Sequence, residues 1–142
     1  MTTGYKNLLT ISVALLAALL VACSGGGDSV VLDLSGIQPL NDGFHYEGWV
    51  TIDGQYVSLG KFNVSDAGLL VTPEGQTIKD GEFAISSGND FGIDDVIAVM
   101  VSIEPSGDTD GTPSDTRFLA GAISGGVASL VVGDADAIGN TF

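Results

Sequence analysis

The chain holds one cysteine, one histidine, one tryptophan and four basic residues in 142, against eighteen acidic ones. Each scarcity excludes something. With Cys23 alone no internal disulfide can form, so the folded part has to be stable through its apolar core. Neither Cys23 nor the lone histidine, His45, has a second Cys or His at a recognised zinc-ligand spacing. Beyond residue 22 the only cations are Lys61, Lys79 and Arg117, set against all eighteen acids, a formal charge of −15 that repels nucleic acid and anionic lipid headgroups. Long apolar runs are also missing. The most apolar run, residues 8–22 (LLTISVALLAALLVA), is about 15 residues, where a membrane-spanning helix needs roughly 20.

What is present begins with that stretch. Lys6 precedes it and small residues close it, the layout of a secretory signal. Leu20, Val21, Ala22 and Cys23 resemble a bacterial lipobox, after which a lipoprotein signal is cut and the cysteine acylated. The other reading is an ordinary signal with an incidental cysteine. Each methylene buried in lipid contributes about 0.8 kcal/mol, so one acyl chain holds marginally and two or three hold firmly. On this reading residues 1–22 are a lipoprotein signal peptide, Cys23 is the lipid anchor, and residues 23–29 form a flexible glycine-rich leash. Residue 24 is Ser rather than Asp, which in Gram-negative lipoproteins directs transfer to the outer membrane.

Residues 30–142 suit one domain with one core. Their hydrophobic period is two. Val30, Leu32 and Leu34 alternate with Val31, Asp33 and Ser35; Phe44, Tyr46, Val50 and Ile52 share one face of a strand while His45, Glu47, Trp49 and Thr51 share the other. Asp53-Gly54 is the preferred pair for a two-residue hairpin turn. In residues 55–64 (QYVSLGKFNV) the alternation slips once, which a bulge near Gly60 and Lys61 absorbs. Residues 96–103, 118–123 and 127–132 are apolar on both faces and belong inside a sheet. Helix signals are thin, with at most a short turn over residues 89–96. Turn residues recur every 8 to 14 positions, the spacing of an antiparallel β-sandwich of about seven to eight strands, immunoglobulin-like in general architecture.

Tyr46-Glu47-Gly48-Trp49, then residues 57–64 (VSLGKFNV), then 101–107 (VSIEPSG), then Pro113 and Leu119-Ala120-Gly121, resemble the extracytoplasmic domain of RskA-type anti-sigma factors. The resemblance covers residues 46–121 and implies an envelope domain similar to that of anti-sigma-K factors. Members of the family also carry a cytoplasmic sigma-binding segment and a spanning helix. The residues before the apolar run are too few to bind a sigma factor, so the expectation is a domain of this kind without sigma sequestration. Gly48 stands where the family has a bulkier apolar residue.

No set of residues in the sequence points to catalysis. Cys23 is the anchor, His45 falls on the outer face of its strand, and the neighbouring acids Asp94 with Asp95 and Asp108 with Asp110 lie in hydrophilic turns where both stay ionised. The expectation is a non-enzyme with an envelope protein as partner. The strongest local candidate is the loop of residues 104–116 (EPSGDTDGTPSDT), where Asp108, Asp110 and Asp115 offer oxygens to a calcium ion. Asp-Thr-Asp-Gly is not an EF-hand, because the third acidic position and the closing Glu are missing, and Asp, Ser, Gly and Pro are also ordinary loop residues. Trp49 is the second candidate: exposed, it could stack on a sugar or anchor a partner; turned inward by a bulge at Gly48, it fills the core. These two features define the alternative of a calcium-dependent or carbohydrate-binding β-sandwich module.

Overall fold

A computed structural model of the chain describes residues 28–85, 92–124 and 127–132. Cys23, the signal and the glycines up to Gly27 lie outside the described residues, as does the tail from residue 133. The described part is all-β and antiparallel. Its strands are β1 (Ser29–Val31), β2 (His45–Ile52), β3 (Gln55–Val64), β4 (Leu70–Val71), β5 (Glu82–Ala84), β6 (Val96–Glu104), β7 (Arg117–Ser124), β8 (Val127–Ala128) and β9 (Val131–Val132). Seven of them form one sheet in the order β4-β3-β2-β6-β7-β8, with β9 also on β7, and β1 pairs with β5 as a separate ribbon. The sandwich is therefore unequal, a large sheet with a two-stranded ribbon as its partner layer. Helical structure is limited to single turns at Lys79–Gly81 and Ile93–Asp95.

The hairpin between β2 and β3 sets the register of everything that follows. Asp53 and Gly54 both have positive φ, 49° and 74°, so their turn matches the twist of the strands it joins. From that turn the ladder runs Ile52 opposite Gln55, Val50 opposite Val57 and Trp49 opposite Ser58, then resumes with Gly48 opposite Gly60, leaving Leu59 as the extra residue. The expected slip is thus present one residue earlier than its sequence position suggested. Gly60 makes it possible, because its φ of 127° is one that side-chain-bearing residues rarely adopt. Past the bulge, Glu47 faces Lys61 and Tyr46 faces Phe62.

One face of the sheet holds the main core. Tyr46, Val50 and Ile52 of β2, Leu59, Phe62 and Val64 of β3, and Val96, Val99 and Val101 of β6 pack with Val30 and Phe83 of the ribbon. Phe62, fully buried, stacks on Tyr46 with ring centroids 5.5 Å apart and meets Phe83 at the same distance, which fastens the ribbon to the sheet. A buried side chain of this size contributes about 2–3 kcal/mol by leaving water.

Two expectations shift. Residues 127–132 form not an interior strand but two dipeptide strands on the open side of β7, with Ser129 and Leu130 between them. The break follows from Gly121, where a Cβ would stand 2.3 Å from the Ser129 carbonyl oxygen, so the backbone of residues 129–130 lies directly on β7. Asp28 and Ser29, expected in the leash, also make contacts with the fold: Asp28 accepts the Ile85 amide at its carbonyl (2.9 Å) and the Ile93 amide at its carboxylate (3.0 Å), and Ser29 opens β1.

Candidate functional site

The opposite face of the sheet is where the unusual chemistry collects. Side chains two apart on a strand share a face, so His45, Glu47 and Trp49 project together from β2, away from Tyr46 and Val50. Cross-strand pairing brings Glu104, Ser102 and Met100 of β6 beside them, and Lys61 and Ser58 of β3 on the other flank. Arg117 of β7 follows Ser102 in the same row.

The alternation of β2 placed this face in solvent, and here the structure corrects it. His45 is 8% exposed and Glu47 3%. The cover is the loop after β6. A turn closed by the Asp108 amide on the Pro105 carbonyl (3.2 Å) carries Asp108 back onto the sheet, where Lys61 Nζ donates to both its carbonyl and its carboxylate, the latter at 3.2 Å. Further along, the Ser114 amide donates to Glu104 Oε1 (2.9 Å) and its hydroxyl to the Ile103 carbonyl (2.7 Å). Those bonds fold residues 105–116 over the strand ends. Sequence periodicity cannot register a loop that returns across a polar face.

Under the loop the polar groups satisfy one another in a chain. Trp49 Nε1 donates to Ser102 Oγ at 2.8 Å, and the Ser102 hydroxyl donates to Glu104 Oε1. Ser58 Oγ donates to Glu47 Oε1 at 2.5 Å. Burial pushes the Glu47 carboxyl above the usual range; the Ser58 hydrogen bond and the Lys61 ammonium pull it down, and the Glu104 and Asp108 carboxylates push it up again. Two buried polar atoms, His45 Nε2 and Glu47 Oε2, have no hydrogen-bond partner. His45, Glu47 and Asp108 each bring one ligand atom to within 4.8 Å of the others, and they are the one such trio among the described residues.

Set against this geometry, the sequence-level candidates separate. Trp49 is 1% exposed and packs with Met100, Ala120 and Tyr56, so it offers no face to a sugar or a partner. It is core, yet without any rotation at Gly48: it stays on the His45 face, and that face is itself covered. The calcium trio of Asp108, Asp110 and Asp115 is not assembled. Asp108 turns inward to Lys61; Asp110, in the open, accepts the Thr112 amide (2.9 Å) and hydroxyl (2.7 Å), bonds that hold its carboxyl below the usual range. Asp115 is exposed and joins no cluster of ligand atoms. The loop closes on itself and on Glu104. Glu104, expected to bond turn amides, does so at Ser114.

His45 and Glu47 were the residues that sequence reasoning placed on an outer face and set aside. A signal for them existed. The Asp53-Gly54 turn together with the one-residue slip in residues 55–64 brings Lys61 opposite Glu47, and a strand with His, Glu and Trp on one face beside one ending Ser-x-Glu is a polar face shared by three strands. Comparison of the chain with protein-family models, curated proteins and solved structures returns no match, so the resemblance to RskA-type anti-sigma factors rests on the sequence motifs alone.

Proposed function

We propose that the chain is a lipid-tethered, non-catalytic binding or sensing module of a bacterial envelope, similar to the extracytoplasmic domain of anti-sigma-K factors but without a sigma-binding segment. The observation that carries this reading is the lipobox-like Leu20-Val21-Ala22-Cys23 at the end of an apolar run, with an acidic, all-β body following it in the chain. Acyl chains on Cys23 would keep that body close to the membrane that holds it. Ser24 favours the outer membrane in a Gram-negative cell. Among the described residues no helix is long and apolar enough to cross a bilayer.

Binding rather than turnover is supported by how the hydroxyls are used. Ser58 and Ser102 donate to buried carboxylates under the loop, which positions them as structural links and not as nucleophiles. A surface for a protein partner is available elsewhere. A cleft of about 590 Å³ runs between residues 31–34, residues 68–70 and residues 77–81, lined by Leu32, Leu34, Leu70 and Ile78, with Leu69 half exposed at its rim.

Labelled palmitate tests the anchor. The wild-type chain is expected to incorporate it and to sediment with envelopes, and Cys23→Ala to do neither. Label retained by Cys23→Ala, or a full-length chain found in the cytosol with residues 1–22 intact, contradicts the reading. A photo-crosslinker at position 69 in intact cells is expected to capture an envelope protein that one at the exposed position 97, remote from the cleft lining, does not.

A further inference from the structure

We infer that His45, Glu47 and Asp108 form a binding site for a divalent transition metal, zinc being its natural probe. His45 and Glu47 stand two apart on one strand, a rigid pair of donors on one face, and Asp108 arrives from the loop that covers them. The orphaned atoms are the ones a metal uses. Glu47 Oε1 is held by Ser58, which leaves Oε2 bare; the His45 Nδ1 edge faces the Gly43 carbonyl at 3.4 Å, which leaves Nε2 bare. A ligating histidine typically offers one nitrogen to the metal while a backbone carbonyl or carboxylate orients the other, and a ligating carboxylate is steadied in the same manner.

Distances and donor types agree with this. An ion with bonds of 2.0–2.1 Å in tetrahedral geometry keeps its ligands about 3.3 Å apart, so the trio, now within 4.8 Å, closes by up to about 1.5 Å. The partner able to move is Asp108, which sits on a turn rather than a strand. One imidazole and two carboxylates make a three-ligand set that leaves the fourth position of a tetrahedral ion open, and the imidazole disfavours calcium and magnesium, which prefer oxygen alone. Charge points the same way. The Lys61 ammonium and the Glu104 and Asp108 carboxylates all act on Glu47; the ammonium now bonds Asp108, and the Lys61 side chain is one-third exposed, free to swing to solvent when a metal takes its place. A bound ion then ties the 105–116 loop to β2.

Calorimetric titration of the metal-stripped full-length chain in detergent with Zn²⁺ tests the site. The expected result is one equivalent bound, with affinity at least tenfold weaker in both His45→Gln and Asp108→Asn. Asp110→Asn and Asp115→Asn, which alter the same net charge, are expected to bind as wild type, and excess Ca²⁺ is expected not to compete. Lys61→Met is expected to bind several-fold tighter, because it removes the competing ammonium. If His45→Gln fails to fold, Asp108→Asn and Lys61→Met still decide the matter. Absence of a stoichiometric site in the wild type, equal loss in Asp110→Asn and Asp108→Asn, or weaker binding by Lys61→Met would each overturn the assignment.

Discussion

Ser102→Ala probes the polar interior most directly. Ser102 is fully buried; its hydroxyl accepts from Trp49 Nε1 at 2.8 Å and donates to Glu104 Oε1. Replacing it with alanine leaves a buried indole N–H without an acceptor, a penalty of about 1–3 kcal/mol, and takes one donor from a buried carboxylate whose bond to the Ser114 amide survives. Together these give a loss of about 3 kcal/mol, against a total of about 5–15 kcal/mol for an ordinary domain. The melting temperature should fall by roughly 12–24 °C, given a shift of about 4–8 °C per kcal/mol at this size. Urea unfolding followed by far-ultraviolet circular dichroism measures it, with the exposed Ser35→Ala as a control expected to change stability by less than about 0.5 kcal/mol. The origin of the loss is checked in a Trp49→Phe background, where no indole N–H is left to orphan. There the cost of Ser102→Ala should shrink by about 1–2 kcal/mol. Additivity of the two substitutions to within about 0.5 kcal/mol would refute the idea that the indole and the hydroxyl depend on each other.

Two further predictions concern the sheet. Gly121→Ala places a methyl 2.3 Å from the Ser129 carbonyl and should destabilise by about 1–3 kcal/mol, whereas Gly48→Ala, whose Cβ meets Leu32 and Leu59 at 3.4–3.5 Å with φ outside the left-handed region, should stabilise by about 0.5 kcal/mol; paired thermal melts distinguish them. Burial raises the Tyr46 phenol above its ordinary value near 10, outweighing its bond to the Gln38 carbonyl. An unfolded phenol loses its proton at about pH 10 while the folded one keeps it, so this group's contribution is intact below pH 10 and declines above it. Tyr46→Phe should be about 1 kcal/mol less stable at neutral pH, from the lost hydrogen bond, yet fall less steeply above pH 10 in urea midpoints measured against pH.

The fold was largely legible because its determinants are local. Asp53-Gly54 dictates a hairpin by backbone conformation alone, and a one-residue slip in QYVSLGKFNV shows in the spacing of Val57, Leu59, Phe62 and Val64. Where chain segments distant in sequence meet, legibility ends. Nothing local in residues 127–132 records that Gly121, several residues earlier on the neighbouring strand, lets their backbone settle on β7 and divide them.

The candidate site divides in the same way. Sequence alone determined that His45, Glu47 and Trp49 share one side of β2, since alternation is a property of the extended backbone, and it determined an acidic, disulfide-free, all-β chain. Tertiary structure alone decided that this side is an interior. The bonds from Asp108 to Lys61 and from Ser114 to Glu104 join residues 10 to 47 positions apart. A covering loop changes the solvent around a side chain without changing the pattern in which that side chain stands, so burial of a polar face is decided only when the chain folds back.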